Sequence, residues 1–175
     1  QCLRIEGRLN MKLHQVNQEI VTSAVSSLII TGVNTDDPYM LTVRDWAPSA
    51  NTVVSRLRIT KSGEAQTASF YQAHKSMSST GTYSNGYKSN NSDFEFHFTA
   101  SAYKTNAIMW LYDFNASDKQ SHGLFETVAQ DHSGNSMGVK GSFAHEVSSA
   151  SDGIEFRFHS GNVASGTFTL YKVLA

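Results

Sequence analysis

Along most of the chain, apolar and polar residues alternate with a period of two, the pattern of strands that bury one face. The last run is the clearest. Ser160-Gly161-Asn162 is turn chemistry, and Gly166 to Val173 then places Phe168 and Leu170 on one face and Thr167, Thr169 and Tyr171 on the other. This predicts a final strand tied into a sheet. Tyr39, Leu41 and Val43 alternate in the same way before Trp46 and Pro48, and Val53, Leu57 and Ile59 alternate with Val54, Arg56 and Arg58 before a turn at Lys61-Ser62-Gly63-Glu64. Ala68 to Ala73 reads as a strand with Phe70 and Tyr71 on opposite faces, and Phe94, Phe96 and Phe98 alternate with Asp93, Glu95, His97 and Thr99. Ile108 to Phe114 is apolar in both phases, which predicts a central strand covered on both sides. Lys12 to Val16, Ile20 to Thr31, Leu124 to Asp131, Val139 to Val147 and Ile154 to His159 complete about ten strands. Ser76 to Ser92 has no periodicity and is rich in Ser, Thr, Gly, Asn and Tyr, which predicts a long exposed loop.

No segment has convincing helical periodicity; the β-branched residues of Val21-Thr22-Ser23-Ala24-Val25 argue against a helix there. Short strands with regularly spaced turns predict an all-β protein, an antiparallel two-sheet β-sandwich of jelly-roll type. The sequence shows no internal repeat and no second domain. Residues 11–175 are therefore read as a single β-sandwich domain. The chain opens on Gln, and Ile5-Glu6-Gly7-Arg8 has the form of a factor Xa cleavage site shortly before Met11, so residues 1–10 are set aside as an expression or linker remnant. The competing reading is a longer fibre cut at this point.

Composition narrows the function more than the fold. With 175 residues and a formal net charge of −1, the chain carries no basic field to hold nucleic acid or an anionic membrane. Charged residues make up 17%, and Ser, Thr, Asn and Gly supply the polar surface instead. No apolar run approaches the roughly 18 residues of a membrane span. Cys2 is the single cysteine, so no internal disulfide can form.

Four stretches carry a resemblance, two of them specific. Ser160-Gly161-Asn162-Val163-Ala164-Ser165-Gly166-Thr167-Phe168-Thr169-Leu170-Tyr171 resembles the SGN-I/V-ASG-T-F/I-x-LY ending of a family of bacteriophage virion proteins, and Ser151-Asp152-Gly153-Ile154-Glu155-Phe156 resembles the x-DGI-x-F run that precedes it. Ser27 to Val33 is similar to the family's first strand and turn, and Ile108 to Asn115, less closely, to its central strand. Asn34-Thr35-Asp36-Asp37-Pro38 departs from the pattern by intervening before Tyr39. The family consists of small β-sandwich domains, alone or at the ends of tail fibres, particularly in phages of aquatic bacteria. The resemblance implies a virion location, other virion proteins as partners, and a homo-oligomer, a trimer. It supplies no catalytic residue and no cofactor.

Candidate chemistry is sparse. Gly134-Asn135-Ser136-Met137-Gly138 matches G-x-S-x-G, but a nucleophile elbow needs a helix after the serine, and Met137, Val139, Gly141 and Phe143 have strand period. The seven histidines lack the spacing of a strong metal site. His97, with Glu95 and Thr99, and His159, with Glu155 and Arg157, are expected on solvent faces, and His145, in phase with Phe143 and Val147, as a hydrogen-bonded core histidine. Asp113 to Asp118 begins like a calcium loop but has Asp118 in place of its glycine and Leu124 in place of its closing carboxylate. Tyr103, Trp110 and Tyr112 are assigned to the core or a subunit interface. Tyr71, His74, Tyr83, Asn85, Tyr87, Asn90 and Asn91 form the candidate binding set, because tyrosine gives rigid amphipathic contact area and Asn, Ser and Gly adapt their hydrogen bonds. The expected function is a non-enzymatic receptor-binding or tail-fibre tip domain touching a host-surface glycan or protein. A capsid decoration or head-fibre protein of the same fold is the alternative, and a carbohydrate-active β-sandwich enzyme is the third reading.

Overall fold

A computed structural model of the chain describes residues 12–51, 53–99, 103–131 and 133–174, with the backbone alone for 96–99. The expected remnant at 1–10 and the side chain of His97 lie outside the described residues. Among those described there are thirteen strands and no helix. In chain order they are β1 (Lys12–Val21), β2 (Ser27–Thr31), β3 (Tyr39–Pro48), β4 (Val53–Lys61), β5 (Glu64–Ala65), β6 (Phe70–Ser78), β7 (Tyr83–Asn91), β8 (Phe94–Thr99), β9 (Thr105–Tyr112), β10 (Ser121–Gln130), β11 (Ser136–His145), β12 (Gly153–Phe158) and β13 (Val163–Leu174).

Two antiparallel sheets pack face to face. The larger has eight strands in the order β1-β13-β3-β9-β10-β11-β6-β7, and the smaller runs β2-β12-β4-β5, with β8 also on β4. If the hairpins β6–β7 and β10–β11 and the short β5 are set aside, two four-stranded sheets remain, β1-β13-β3-β9 and β2-β12-β4-β8. That interleaving is a jelly roll. Both hairpins extend the same sheet beyond β9, so half of the large sheet is an addition to the roll.

The predicted last strand organises this framework. β13 lies between β1 and β3, with Phe168 opposite Val43 and Leu170 opposite Leu41. Phe168 and Leu170 are buried, and Trp46 packs among Phe156, Phe158 and Phe168 with ring centroids 5.4, 4.9 and 6.1 Å away. A second aromatic group lies under the added hairpins: Phe94 of β8 contacts Phe70 at 4.5 Å and Phe143 at 4.3 Å. Each such side chain, fully buried, stabilises the fold by roughly 2–3 kcal/mol. The hairpins are therefore anchored by their own part of the core.

The two recognisable motifs are turn chemistry. Asp152 accepts from Thr60 Oγ1 at 2.6 Å and from the Gly63 N–H at 2.7 Å, closing the β4–β5 turn. Its own carbonyl accepts from the Gly32 and Val33 N–H groups. A Cβ on Gly153 would lie 2.1 Å from the Ile30 carbonyl oxygen, so this position admits no side chain. In the ending motif, Asn162 N–H donates to Ser49 Oγ at 2.9 Å, and Gly161 takes a positive φ of 74°.

Two sequence expectations are corrected. Ser76 to Ser92 is not a loop: most of it belongs to the β6–β7 hairpin, reversed through Gly81 at φ 82°. Its strands are held by the backbone ladder and by Phe70 at the base, so the polar tip carries no apolar rhythm. Ile108 to Phe114 is not covered on both sides. Met109 and Leu111 are buried, whereas Ile108 and Trp110 are half-buried and Tyr112 is exposed on the outer face. Phe114 is buried but lies beyond the strand.

Candidate functional site

The register of the large sheet sets one residue from each strand in a row across its outer face: Gln15, Tyr171, Met40, Trp110, Leu124, Ser142, Ala73 and Tyr87. A flanking row holds Tyr112, His122, Ala144 and Tyr71, and another holds Asn106, Val128, Gly138, Met77 and Tyr83. β10 makes the arrangement plain. Gly123, Phe125, Thr127 and Ala129 are buried, while His122, Leu124, Glu126 and Val128 stand outside.

A shallow groove of about 640 Å³ lies over the added half of this face, lined by Tyr71, Ala73, Tyr87, Tyr112, His122 and Leu124, with Lys88, Ser89 and Ser142 among its polar contributors. Tyr87 is 83% exposed and Leu124 50%, so this apolar surface is open to solvent. On the inner side of the same strands, glycines make room for core rings. A Cβ at Gly123 would meet the Phe143 ring at 2.2 Å, and one at Gly141 would meet the Ala73 carbonyl oxygen at 2.5 Å. The register alone turns Tyr71, Tyr87 and Tyr112 outward, and a ring-shaped ligand can stack on them while its hydroxyls reach the imidazole, the hydroxyls and the backbone.

Tyr71, Tyr83, Asn85 and Tyr87 all belong to this outer face, the first and last in the groove itself. His74 does not. Its ring faces the other way, where a Cβ on Gly86 would lie 2.3 Å from it, and its Nδ1 lies 3.0 Å from Gln72 Nε2. Burial lowers its pKa, with nearby Glu95 opposing and Lys88 adding to the shift. Asn90 and Asn91 end β7 away from the groove lining: Asn90 has a φ of 51°, and Asn91 Oδ1 accepts the Ser92 N–H at 2.9 Å. Sequence reasoning missed His122 and Leu124 and assigned Tyr112 elsewhere. The signal was the unbroken alternation of β10, which puts apolar residues in both phases.

The remaining candidates have structural surroundings. His145 is buried beside Phe70, its ring 4.9 Å away, and burial lowers its pKa against a hydrogen bond to the Ala68 backbone. His159 is exposed, and its Nδ1 accepts the Val54 N–H at 3.0 Å. Glu155, expected on the solvent side with it, is buried near Arg58, 3.7 Å away. Ser136 opens β11, and Asp131 Oδ1 accepts from the Ser133 and Asn135 N–H groups to form the turn before it. Asp113 takes Lys119 Nζ at 2.9 Å. Among the described residues, no three His, Cys, Asp or Glu side chains converge to hold a metal ion.

No protein-family model matches the chain. No curated protein matches it either. Of solved structures, the crystal structure of infectious bursal disease virus VP2 subviral particle aligns at 8% identity over 95% of this chain and 42% of that one, with a TM-score of 0.12, a likeness too slight to carry weight for fold or function.

Proposed function

We propose that this chain is a non-enzymatic bacteriophage virion protein, a tail-fibre or receptor-binding tip domain. Its outer-face groove contacts a host-surface glycan. The observation that carries this reading is the set Tyr71, Tyr87 and Tyr112 on one groove, with His122, Lys88 and Ser142 around it. Sugars stack on such rings and hydrogen-bond at their edges. The resemblance of the Asp152-Gly153-Ile154 run and of the ending to virion proteins supports the setting. Binding is favoured over hydrolysis because no Asp or Glu among the described residues lines this groove, and glycoside cleavage uses a carboxylate pair.

The test is attachment of the purified domain to host cells, together with binding to immobilised host polysaccharide. Tyr87→Ala and Tyr112→Ala should each abolish attachment without moving the melting temperature, since both side chains are exposed. Full attachment by both variants would retire the groove as the receptor site. Oligosaccharide release from the polysaccharide would overturn the non-enzymatic reading.

The capsid-decoration reading has one observation in its favour. A second hollow, about 720 Å³, lies on the same face over Ile108, Val128, Met77 and Val139, and its apolar floor suits a protein partner. Immunogold labelling of intact virions separates the two: gold on fibre tips supports attachment, and gold over the capsid supports decoration.

A further inference from the structure

Sheet edges are templates for further pairing, and proteins ordinarily blunt them. Three edges of this molecule are blunted. β1 has a register shift between Gln15 and Asn17 and carries Lys12 and Glu19. β2 is only five residues long. β8 has its backbone at Glu95 occupied by the side chain of Gln72.

β7 is different. It runs from Tyr83 to Asn91, its ladder with β6 is regular from Tyr83 to Lys88, and no described strand lies on its other side. Its one charged residue, Lys88, pairs with Glu95 at 2.5 Å. The Ser78 N–H donates to the Thr82 carbonyl at 3.0 Å, which fixes the phase of the ladder. In an antiparallel pair, alternate residues turn their backbone groups away from the partner. Ser84 and Gly86 therefore face β6, and Tyr83, Asn85 and Tyr87 present N–H and C=O groups to the open edge.

We infer that β7 pairs with β7 of a second copy of this chain, antiparallel about a two-fold axis at Asn85. An edge of alternating donors and acceptors is filled by an extended strand, and this strand is complementary to itself. Tyr83 falls opposite the partner's Tyr87, Asn85 opposite the partner's Asn85, and roughly six backbone hydrogen bonds close. No like charges meet, because the outward-facing residues at 83, 85 and 87 are uncharged. Aromatic cross-strand pairs add to such a contact. The partner's Tyr83 then stands beside Tyr87 at the rim of the groove, so each site gains a ring from the other copy. This last consequence rests on the proposed glycan reading; the contact itself does not.

Light scattering of the eluting protein tests the contact without any ligand. The unmodified chain should have twice the mass of one copy. Asn85→Glu should have the mass of one copy with an unchanged circular dichroism spectrum, because it sets two carboxylates opposite each other at the axis while giving Lys75, its cross-strand neighbour, a counter-charge. In a Cys2→Ser background, Asn85→Cys should cross-link to a covalent dimer under mild oxidant, because directly opposite Cα atoms lie within disulfide reach. A mass of one copy for the unmodified chain, or of the three copies expected of a trimer, overturns the inference, as does an oligomer that survives Asn85→Glu. If Asn85→Glu fails to fold, the cross-link decides, and its absence overturns the inference. Failure of the unmodified chain to attach, with its double mass intact, would count against the glycan reading alone.

Discussion

Gln72 acts toward Glu95 as a neighbouring strand would. Its Oε1 accepts the Glu95 N–H at 2.8 Å, and its Nε2 donates to the Glu95 carbonyl. Glu95 lies on β8, whose ladder partner is β4 of the small sheet, whereas Gln72 belongs to β6 of the large one. One buried carboxamide thus closes an edge of the small sheet and fastens the added hairpin to the jelly roll. Replacing Gln72 with Leu would take from both backbone groups of Glu95 the partners they have here. At about 1–3 kcal/mol for each orphaned group, urea unfolding should report a loss of roughly 2–6 kcal/mol. An unchanged midpoint would mean that water satisfies Glu95 instead.

Gly153→Ala should be among the most damaging single-methyl additions. The new carbon would meet the Ile30 carbonyl oxygen at 2.1 Å and the Thr31 Cα at 2.9 Å, both backbone atoms that no rotamer change can move. Overpacking of this kind costs about 2–3 kcal/mol. It should pull β12 away from β2, with a lower midpoint in thermal and denaturant unfolding.

Stability should fall with acid beginning near neutrality. His145 and His74 both have pKa values lowered from 6.5, chiefly by burial. The unfolded chain then binds protons before the folded one does, so stability is full above the unfolded value and declines as pH drops through the folded values. Melting temperature plotted from about pH 8 to about pH 5 should stay level and then fall below about 6.5. His145→Phe should flatten part of that decline. A variant with the same slope as the parent would remove His145 as a cause.

Ending the chain at Gly166 should abolish cooperative folding. The deletion takes Phe168 and Leu170 out of the core and leaves β1 and β3 without the strand between them. The truncated chain should give no sigmoidal melt by circular dichroism. A native-like transition would show that β1 can pair directly with β3.

The framework was legible because its strands carry large apolar residues at period two. Phe168 and Leu170 mark β13, and Phe94 marks β8, by their spacing alone. The β6–β7 hairpin was not legible, since Ser76, Ser84, Asn85 and Gly86 are specified by backbone pairing and by a turn glycine rather than by hydrophobic rhythm. β9 misled for another reason. Apolar residues in both phases identify a strand in the middle of its sheet, but they cannot say whether a second layer of the same chain covers the outer phase. Tyr83 and Tyr87 shared a face, as their spacing of four allows in a strand, while His74 had the opposite phase from Tyr71 and Ala73. Alternation alone could have separated it from the set once β6 was extended past Ala73.

The two ends of the β6–β7 hairpin have different tolerances. Near the base, Phe70 packs on Phe94 and Gln72 holds Glu95, so that end is bound to the framework's own integrity. From Ser76 to Ser84 the hairpin carries exposed or half-exposed polar side chains around Met77 and Tyr83, and its reversal needs only Gly81. A library that randomised this tip, keeping Gly81 and everything below His74, would change what the molecule touches while leaving what folds it intact.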